Sequence, residues 1–226
     1  MTSTVFLKKL YFPDKISTTP EFDTLHPSTQ SAFKRFLDIV GSLVGLFILA
    51  IIFLPIAIAI QLDSPGPILY SQNRHGLHGK TFTIYKFRSM VSDADSLKEL
   101  VNNEANGLIF KNTQDFRITR VGCFLRKTSL DEFPQFWNVL VGDMSLVGTR
   151  PPTTDEVVRY EKHHWQRLSV KPGITGEWQV SGRSQITDFE SIVSLDLRYQ
   201  TRWTPWYDLT IILKTLYVVF AKVGAC

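Results

Sequence analysis

Residues Ile39–Ile60 read IVGSLVGLFILAIIFLPIAIAI, without one ionised side chain. A run of this kind reaches across a bilayer core, which takes about 20 apolar residues, whereas buried helices of soluble proteins usually stop at about 10–14. Lys34, Arg35 and Asp38 mark its start, and Gln61, Leu62 and Asp63 its end. Pro55 complicates the helix, because proline donates no backbone hydrogen bond and its ring crowds the preceding turn. Two geometries fit. One is a kinked single crossing, since prolines are tolerated in spanning helices. The other enters the membrane, bends at Leu54–Pro55 and leaves on the same face. Basic residues on both sides, Lys34 and Arg35 before and Arg74 and Lys80 after, lean toward the same-face hairpin, because Lys and Arg stay cytoplasmic. A buried core helix of a soluble protein fits the length least.

The rest of the chain agrees with a membrane-attached globular protein. Its 226 residues suffice for one domain of ordinary size plus attachments. Apolar residues make up 44% and charged residues 20%, which excludes a disordered chain. The net charge of +4 suits anionic headgroups or phosphate-bearing substrates. No Lys/Arg run tracks a phosphate backbone, so nucleic acid is not an expected partner. Cys123 and Cys226 make neither a disulfide framework nor a metal site.

Three segments follow: a tail over 1–32, the membrane helix over 33–62, and a catalytic domain over 63–226. The tail is rich in Ser, Thr and Pro. Val5–Leu7 is too short for a signal-peptide core, and Phe6, Leu10, Tyr11 and Phe12 suit contact with the membrane surface. Ile68–Tyr70 and Thr81–Tyr85 flank a Gly-rich basic turn and predict a β-hairpin. Helices are expected over 92–103, Ser129–Leu140, Thr154–Leu168, Asp188–Trp203 and Asp208–Val223. The last carries only Lys214 and Lys222 among charged residues after Asp208, and reads as an interfacial helix or as a terminal core helix. The fold class is α+β, predominantly helical.

The chemistry concentrates at Ser129–Gln135 (SLDEFPQ), which places Asp131 and Glu132 in a first helical turn. Leu130, Phe133, Trp137 and Leu140 recur at helical spacing and predict a core face, with Asp131, Gln135 and Asn138 on a polar one. Ser129 and Glu132 fit a capping box, and acids at a helix start complement its dipole. Capping explains Glu132 better than Asp131. The functional reading uses the same physics: backbone N–H groups at a helix start bind phosphate, and a carboxylate needs no base to act as a nucleophile. Cations must then accompany it, and Lys86, Arg88, Arg126 and Arg150 are the candidates, arginine's planar fork matching phosphate oxygens. Each taken alone reads equally as a solvated surface charge, although Pro151 and Pro152 stiffen the backbone at Arg150.

Other patterns read as structural or minor. Asp93-Ala94-Asp95 imitates an Asp-x-Asp metal site, yet acids are common at helix starts. His163-His164 and the pair His75 and His78 lack a third ligand at metal spacing. Trp165, Trp178, Trp203 and Trp206 suit a core or a headgroup belt. The stretch 173–182 reads either as a cradle for uracil or ribose, with Gly176, Gln179 and Arg183 as nucleotide contacts, or as a structural loop whose glycines take positive φ.

Six ordered motifs carry a resemblance: Lys34–Asp38 (KRFLD), Ser64–Pro67 (SPGP), Lys86–Met90 (KFRSM), Leu125-Arg126 with Ser129–Gln135, Gly142–Gly148 (GDMSLVG), and Pro172–Gly176 (PGITG) with Gln179–Arg183 (QVSGR). Over about residues 33–223 the chain resembles the bacterial sugar transferases, the monotopic phosphoglycosyl transferases of exopolysaccharide and O-antigen synthesis. The resemblance implies a re-entrant helix broken at Pro55 in the bacterial inner membrane, with the catalytic domain on the cytoplasmic face. It implies that Asp131 attacks a UDP-sugar, releases UMP and passes the sugar phosphate to undecaprenyl phosphate, with Glu132 as its partner. Mg²⁺ would lie beside Asp131, and Arg126 and Arg150 would hold phosphate. Thr149 stands where the family's Pro-Arg-Pro motif has its first proline, a departure that bears on backbone rigidity. The variant points to a UDP-hexose, and a homo-oligomer is left open. Larger relatives carry a block of spanning helices ahead of this domain, so the chain is expected to be a minimal enzyme or a trimmed one. Two rivals stand: a glycosyltransferase with a polyprenyl-linked acceptor, which would release UDP, and a non-catalytic scaffold of polysaccharide assembly.

Overall fold

A computed structural model of the chain describes residues 25–182 and 185–220. Its first long element, α1 (Ala32–Asp63), starts at Ser31, whose side chain accepts the Lys34 N–H at 3.2 Å. The helix continues through Pro55. One face is buried at Lys34, Asp38, Ser42 and Gly45, and again at Ala57 and Ile60. The opposite face is exposed from Phe36 and Val40 through Leu43, Phe47, Ile51 and Leu54 to Ile58 and Leu62, always three or four residues apart. That spacing is one stripe of a 3.6-residue helix. The helix is therefore buried against the body near its two ends, with no fully buried residue over 46–56, and carries an apolar stripe on the outside.

At its exit, the Asp63 carboxylate accepts the Val121 N–H at 2.8 Å and ties the helix end to the next one. Strands β1 (Leu69–His75) and β2 (Thr81–Phe87) form the expected hairpin, antiparallel, with Leu69 opposite Phe87 and His75 opposite Thr81. Its turn needs left-handed backbone at His78 (φ 54) and Gly79 (φ 78).

The helix expected over 92–103 does not form; the segment is turns with one 3₁₀ turn at Lys98–Leu100. Local side-chain bonds compete with the helix there. Arg88 holds the Ser92 hydroxyl at 2.7 Å, and Ser96 donates back to the Asp93 carbonyl. Helix α2 (Arg120–Thr128) follows, with Thr119 accepting the Gly122 N–H. Gly122 packs directly on the Ser89 carbonyl, leaving no room for a Cβ.

The helix expected over Ser129–Leu140 is split into a 3₁₀ segment, Leu130–Gln135, and α3 (Phe136–Val141). Ser129 takes the left-handed conformation (φ 57) and makes no side-chain cap, so the anticipated capping box is absent. Strand β3 (Ser145–Val147) pairs in parallel with β4 (Gly173–Thr175), a connection the sequence reading missed. Between them the expected helix Thr154–Leu168 is broken into a turn at Thr154–Val157 and a 3₁₀ segment at His164–Ser169. The break forms where the Glu161 N–H donates to His164 Nδ1 and the Arg167 guanidinium turns toward Asp196. Helix α4 (Phe189–Arg202) begins, as expected, at an Asp188 cap. Helix α5 (Pro205–Phe220) buries Asp208 and Ile211 and leaves Trp206, Leu213, Leu216 and Tyr217 outside.

The architecture is α+β and mainly helical. Ile60 of α1, Phe87 of β2 and Leu125 of α2 form one cluster, each side chain contributing about 1.5–3 kcal/mol. Val147, Val170, Tyr199 and Ile211 form another beneath α5. A buried polar network locks the two ends of the fold together. Lys34 donates to Asp208 at 2.7 Å and to the Val147 carbonyl at 2.8 Å, while Asp38 accepts from Ser145 Oγ and the Leu146 N–H, both at 2.8 Å. The described end of the expected tail also packs: Ser28 is buried, and His26 Nε2 meets the Gln200 carbonyl at 3.0 Å. The membrane contacts expected of Phe6, Leu10, Tyr11 and Phe12 lie outside the described residues.

Candidate active site

Asp131 and Glu132 sit where α2 stops and α3 has not yet begun. The left-handed Ser129 turns the chain, Pro134 lies within the 3₁₀ segment, and Phe133 meets Phe136 edge-on at 5.4 Å. Asn138 then fastens this region to the hairpin, donating to the Thr83 carbonyl at 2.7 Å. The hairpin in turn brings Lys86 to Glu132, Nζ to Oε1 at 2.7 Å.

The faces of this segment follow the sequence expectation only in part. Asp131, Gln135 and Asn138, read as the polar face, are 7%, 2% and 1% exposed. Of the residues read as core, Leu130, Phe133 and Leu140 are half-buried, Leu130 against the Ile60, Phe87 and Leu125 cluster, and Trp137 is 52% exposed.

Arg150 follows β3. Its guanidinium pairs with buried Glu156 at 3.1 Å, and its carbonyl accepts from Arg167 at 3.4 Å. Arg167 and Asp196 form a fully buried ion pair at 2.7 Å. Tyr160 accepts from Arg167 at 2.7 Å, and burial pushes its hydroxyl up to about 12. None of Glu156, Arg167 and Asp196 was legible as a site residue; each is one polar letter within an amphipathic stretch.

The four expected cations take different places. Lys86 joins the dyad. Arg126, in the last turn of α2, is half-buried and makes no side-chain hydrogen bond or ion pair among the described residues. Arg150 lies close enough to Arg74 to perturb it, and Arg74 in turn feels Glu132. Arg88 is different: it is 6% exposed, and its guanidinium donates to Ser64, Pro65 and Ser92, holding the turn after α1.

Gly176 is extended (φ −174) and packs on the Gly148 carbonyl, so close approach, not positive φ, explains this glycine. In the stretch 173–182 only Gly182 (φ 136) has positive φ. Gln179 donates weakly to the Ile174 carbonyl, and its Oε1 is buried without a partner. Arg183 lies outside the described residues. An open groove of about 720 Å³, lined by Ser181, Gln185, Thr187, Asp188, Ser191 and Arg198 among others, continues from this segment and shares no lining residue with the dyad.

His163, His164 and Glu190 do come together, the third ligand arriving from the first turn of α4. Yet His164 Nδ1 accepts the Glu161 N–H, so its Nε2 carries the proton and donates to Glu190 at 2.7 Å. That tautomer leaves Nε2 no lone pair for a metal. Asp93 and Asp95 are exposed in turns.

A family model described as bacterial sugar transferase matches residues 29–222. The chain belongs to this family. It is similar to "Galactosyl transferase CpsE" of Streptococcus agalactiae, at 55% identity over 85% of this chain and 43% of that protein. It is similar to "Undecaprenyl-phosphate galactose phosphotransferase" of Salmonella typhimurium, at 46% over 85% of this chain and 41% of that one. A third relative is "UDP-glucose:undecaprenyl-phosphate glucose-1-phosphate transferase" of Escherichia coli, at 38% identity over 93% and 45%. The chain thus spans less than half the length of these curated relatives.

Proposed function

We propose that this bacterial sugar transferase moves a hexose-1-phosphate from a UDP-hexose to undecaprenyl phosphate and releases UMP, with Asp131 as nucleophile. The observation that carries the reading is that the hairpin brings a cation, Lys86, to the dyad. Glu132 is held by Lys86, while its neighbour Asp131 is buried on the same short segment, between α2 and the hairpin. In the first step an Asp131 oxygen bonds to the β-phosphorus, and the bond from that phosphorus to the bridging oxygen breaks, so UMP departs with its electron pair. In the second, a lipid phosphate oxygen attacks the same phosphorus and frees the aspartate. Splitting the transfer avoids assembling two polyanions at once. Lys86, Arg126 and Arg150 supply positive charge for the phosphates. Glu132, whose oxygen accepts from Lys86, would take the proton of the lipid phosphate.

Mg²⁺ fits this donor set, since it prefers one or two carboxylates plus substrate phosphates. Asp131 would hold it, and when bound it neutralises charge on the diphosphate.

We also infer that α1 enters and leaves the cytoplasmic leaflet of the inner membrane on one face. Both of its ends pack on the same body, at Phe136 and Leu146 near the start and at Phe87 and Leu125 near the end. A straight helix of its length spans about 48 Å, enough to separate the ends across a bilayer, so packing along one body favours a monotopic insertion. The outward stripe, Trp137 and the outer face of α5 then meet lipid together.

The test is incubation of the full chain with labelled UDP-hexoses, undecaprenyl phosphate and Mg²⁺. Label is expected in the lipid phase with UMP as the nucleotide product, and on the protein when lipid is omitted. Asp131→Asn is expected to abolish both. Release of UDP would identify a glycosyltransferase instead, and no turnover of any UDP-sugar would favour the scaffold.

A further inference from the structure

Arg74 lies at the end of β1, facing the loop that follows Arg150. His75 N–H bonds to the Pro152 carbonyl at 3.0 Å, and Arg74 bridges to Thr153, so hairpin and loop are joined there. The Arg74 guanidinium makes a single hydrogen bond among the described residues, from Nη1 to the Pro151 carbonyl at 3.0 Å. Its Nε is buried with no acceptor.

The charges around it are unbalanced. Lys86 is paired with Glu132, and Arg150 with Glu156. Arg74 is the third cation of this group, and no carboxylate lies within ion-pair distance of it among the described residues. Arg74 is half-buried, and a charge that has lost hydration is ordinarily paired with a counter-charge. Burial, and then the neighbouring Arg150, push the Arg74 guanidinium down to about 10, while Glu156 and Glu132 act in the opposite sense. It remains charged at neutral pH. Two arginines set side by side repel unless an anion lies between them, and arginine's planar fork matches phosphate oxygens two at a time.

We propose that Arg74 binds substrate phosphate together with Arg150, as the cation that the two neighbouring ion pairs leave without a counter-charge. This rests on the phosphoglycosyl transfer reading above. The phosphoryl group comes from either the UDP-sugar diphosphate or the undecaprenyl phosphate, two substrates that present the same oxyanion. A structural role for Arg74, supporting only the Pro151 carbonyl, would act on folding and not on either substrate.

The test uses the full chain in detergent or membranes. Initial rates are measured against UDP-hexose and, separately, against undecaprenyl phosphate, for the wild type, Arg74→Gln and Arg74→Lys. Binding of the UDP-hexose is measured in parallel as a thermal upshift in an Asp131→Asn background, which needs no turnover. Removing a charge-assisted bond is expected to raise KM for one of the two substrates about 10- to 100-fold in Arg74→Gln. Arg74→Lys keeps the charge but loses the fork and should fall between. A rise for the UDP-hexose, with the upshift lost, assigns Arg74 to the diphosphate; a rise for undecaprenyl phosphate alone, with the upshift kept, assigns it to the lipid phosphate. Unchanged KM for both, with only a lower unfolding temperature, overturns the proposal while leaving the reaction intact. If Arg74→Gln does not fold, Arg74→Lys decides by the same comparison. A wild type that neither binds nor turns over any UDP-hexose overturns the reaction itself, and this inference with it.

Discussion

Arg167 and Asp196 are each 1% exposed, and Arg167, held by Asp196, donates to the Arg150 carbonyl. Breaking one side of a buried pair leaves the other charge uncompensated, which costs about 3–5 kcal/mol. Asp196→Asn is therefore expected to lower the unfolding temperature sharply, and a thermal melt checks it. Arg167→Met with Asp196→Leu should recover much of that stability but not the rate, because the Arg150 carbonyl loses its bond from Arg167. A second residue-scale effect belongs to Asp115. The hydrogen bonds from the Arg117 side chain hold its carboxyl below the usual value despite burial, at 2.7 and 2.8 Å. A carboxyl depressed on folding stabilises the fold above its unfolded pKa, near 4, and that contribution fades as pH falls through the lower folded value. Asp115→Asn should thus be destabilised at pH 7, with the gap to wild type closing as the pH is taken below about 4. Equilibrium unfolding at a series of pH values measures the gap, and a gap constant with pH would remove this carboxylate from the acid limb.

Among the elements, β3 and β4 cross at glycines. Gly148 and Gly173 bring their backbones too close for a Cβ, with the Gly148 N–H bonded to the Thr175 carbonyl at 2.9 Å. Gly148→Ala must push backbone against backbone, and is expected to cost at least about 3 kcal/mol, visible as loss of the folded fraction in a denaturant series. Sequence patterning could not foresee this pairing, because strands of three residues show no usable alternation. Where an apolar period and a cap coincide, reading and structure agree: Asp188 caps α4, and Leu69–His75 with Thr81–Phe87 make the hairpin. Disagreement arises where Ser, Asp and Pro give the backbone local alternatives, at 92–103 and again at Ser129. The dyad and its candidate cations were legible as motifs, but the ion pairs around them were not, since Lys86 meets Glu132 and Arg167 meets Asp196 only through tertiary packing. The segment around Asp131, with its polar residues buried and Trp137 exposed, shows a further limit. Helical periodicity reports that two faces differ; it does not report whether the apolar one turns toward protein or lipid.

At the scale of the whole molecule, the apolar stripe of α1, exposed Trp137 and the outer side of α5 are continuous in purpose only if all meet one membrane. The buried Lys34–Asp208 pair joins the entrance of α1 to the first turn of α5, so the starts of the two helices hold a fixed relation. Lys34 also donates to the Val147 carbonyl, which places the same lock three residues from Arg150. Reporter tags ahead of residue 25 and after residue 220 are therefore expected on one face of the membrane. In sealed inverted vesicles both should be open to an impermeant thiol reagent or protease, and in intact cells both should be protected. One tag accessible from each side would mean that α1 crosses, and the monotopic reading would fail. Lys34→Met should loosen the arrangement without moving the tags: it leaves Asp208 buried without its counter-charge, held only by the Tyr199 hydroxyl and the Trp203 indole N–H, at a cost of up to about 3–5 kcal/mol. Adding Asp208→Leu should restore stability, because an apolar pair of similar volume replaces a buried ion pair with little or no loss. If the double variant is as unstable as Lys34→Met alone, the bonds to Val147 and Tyr199, not the ion pair, join the membrane helix to the catalytic body.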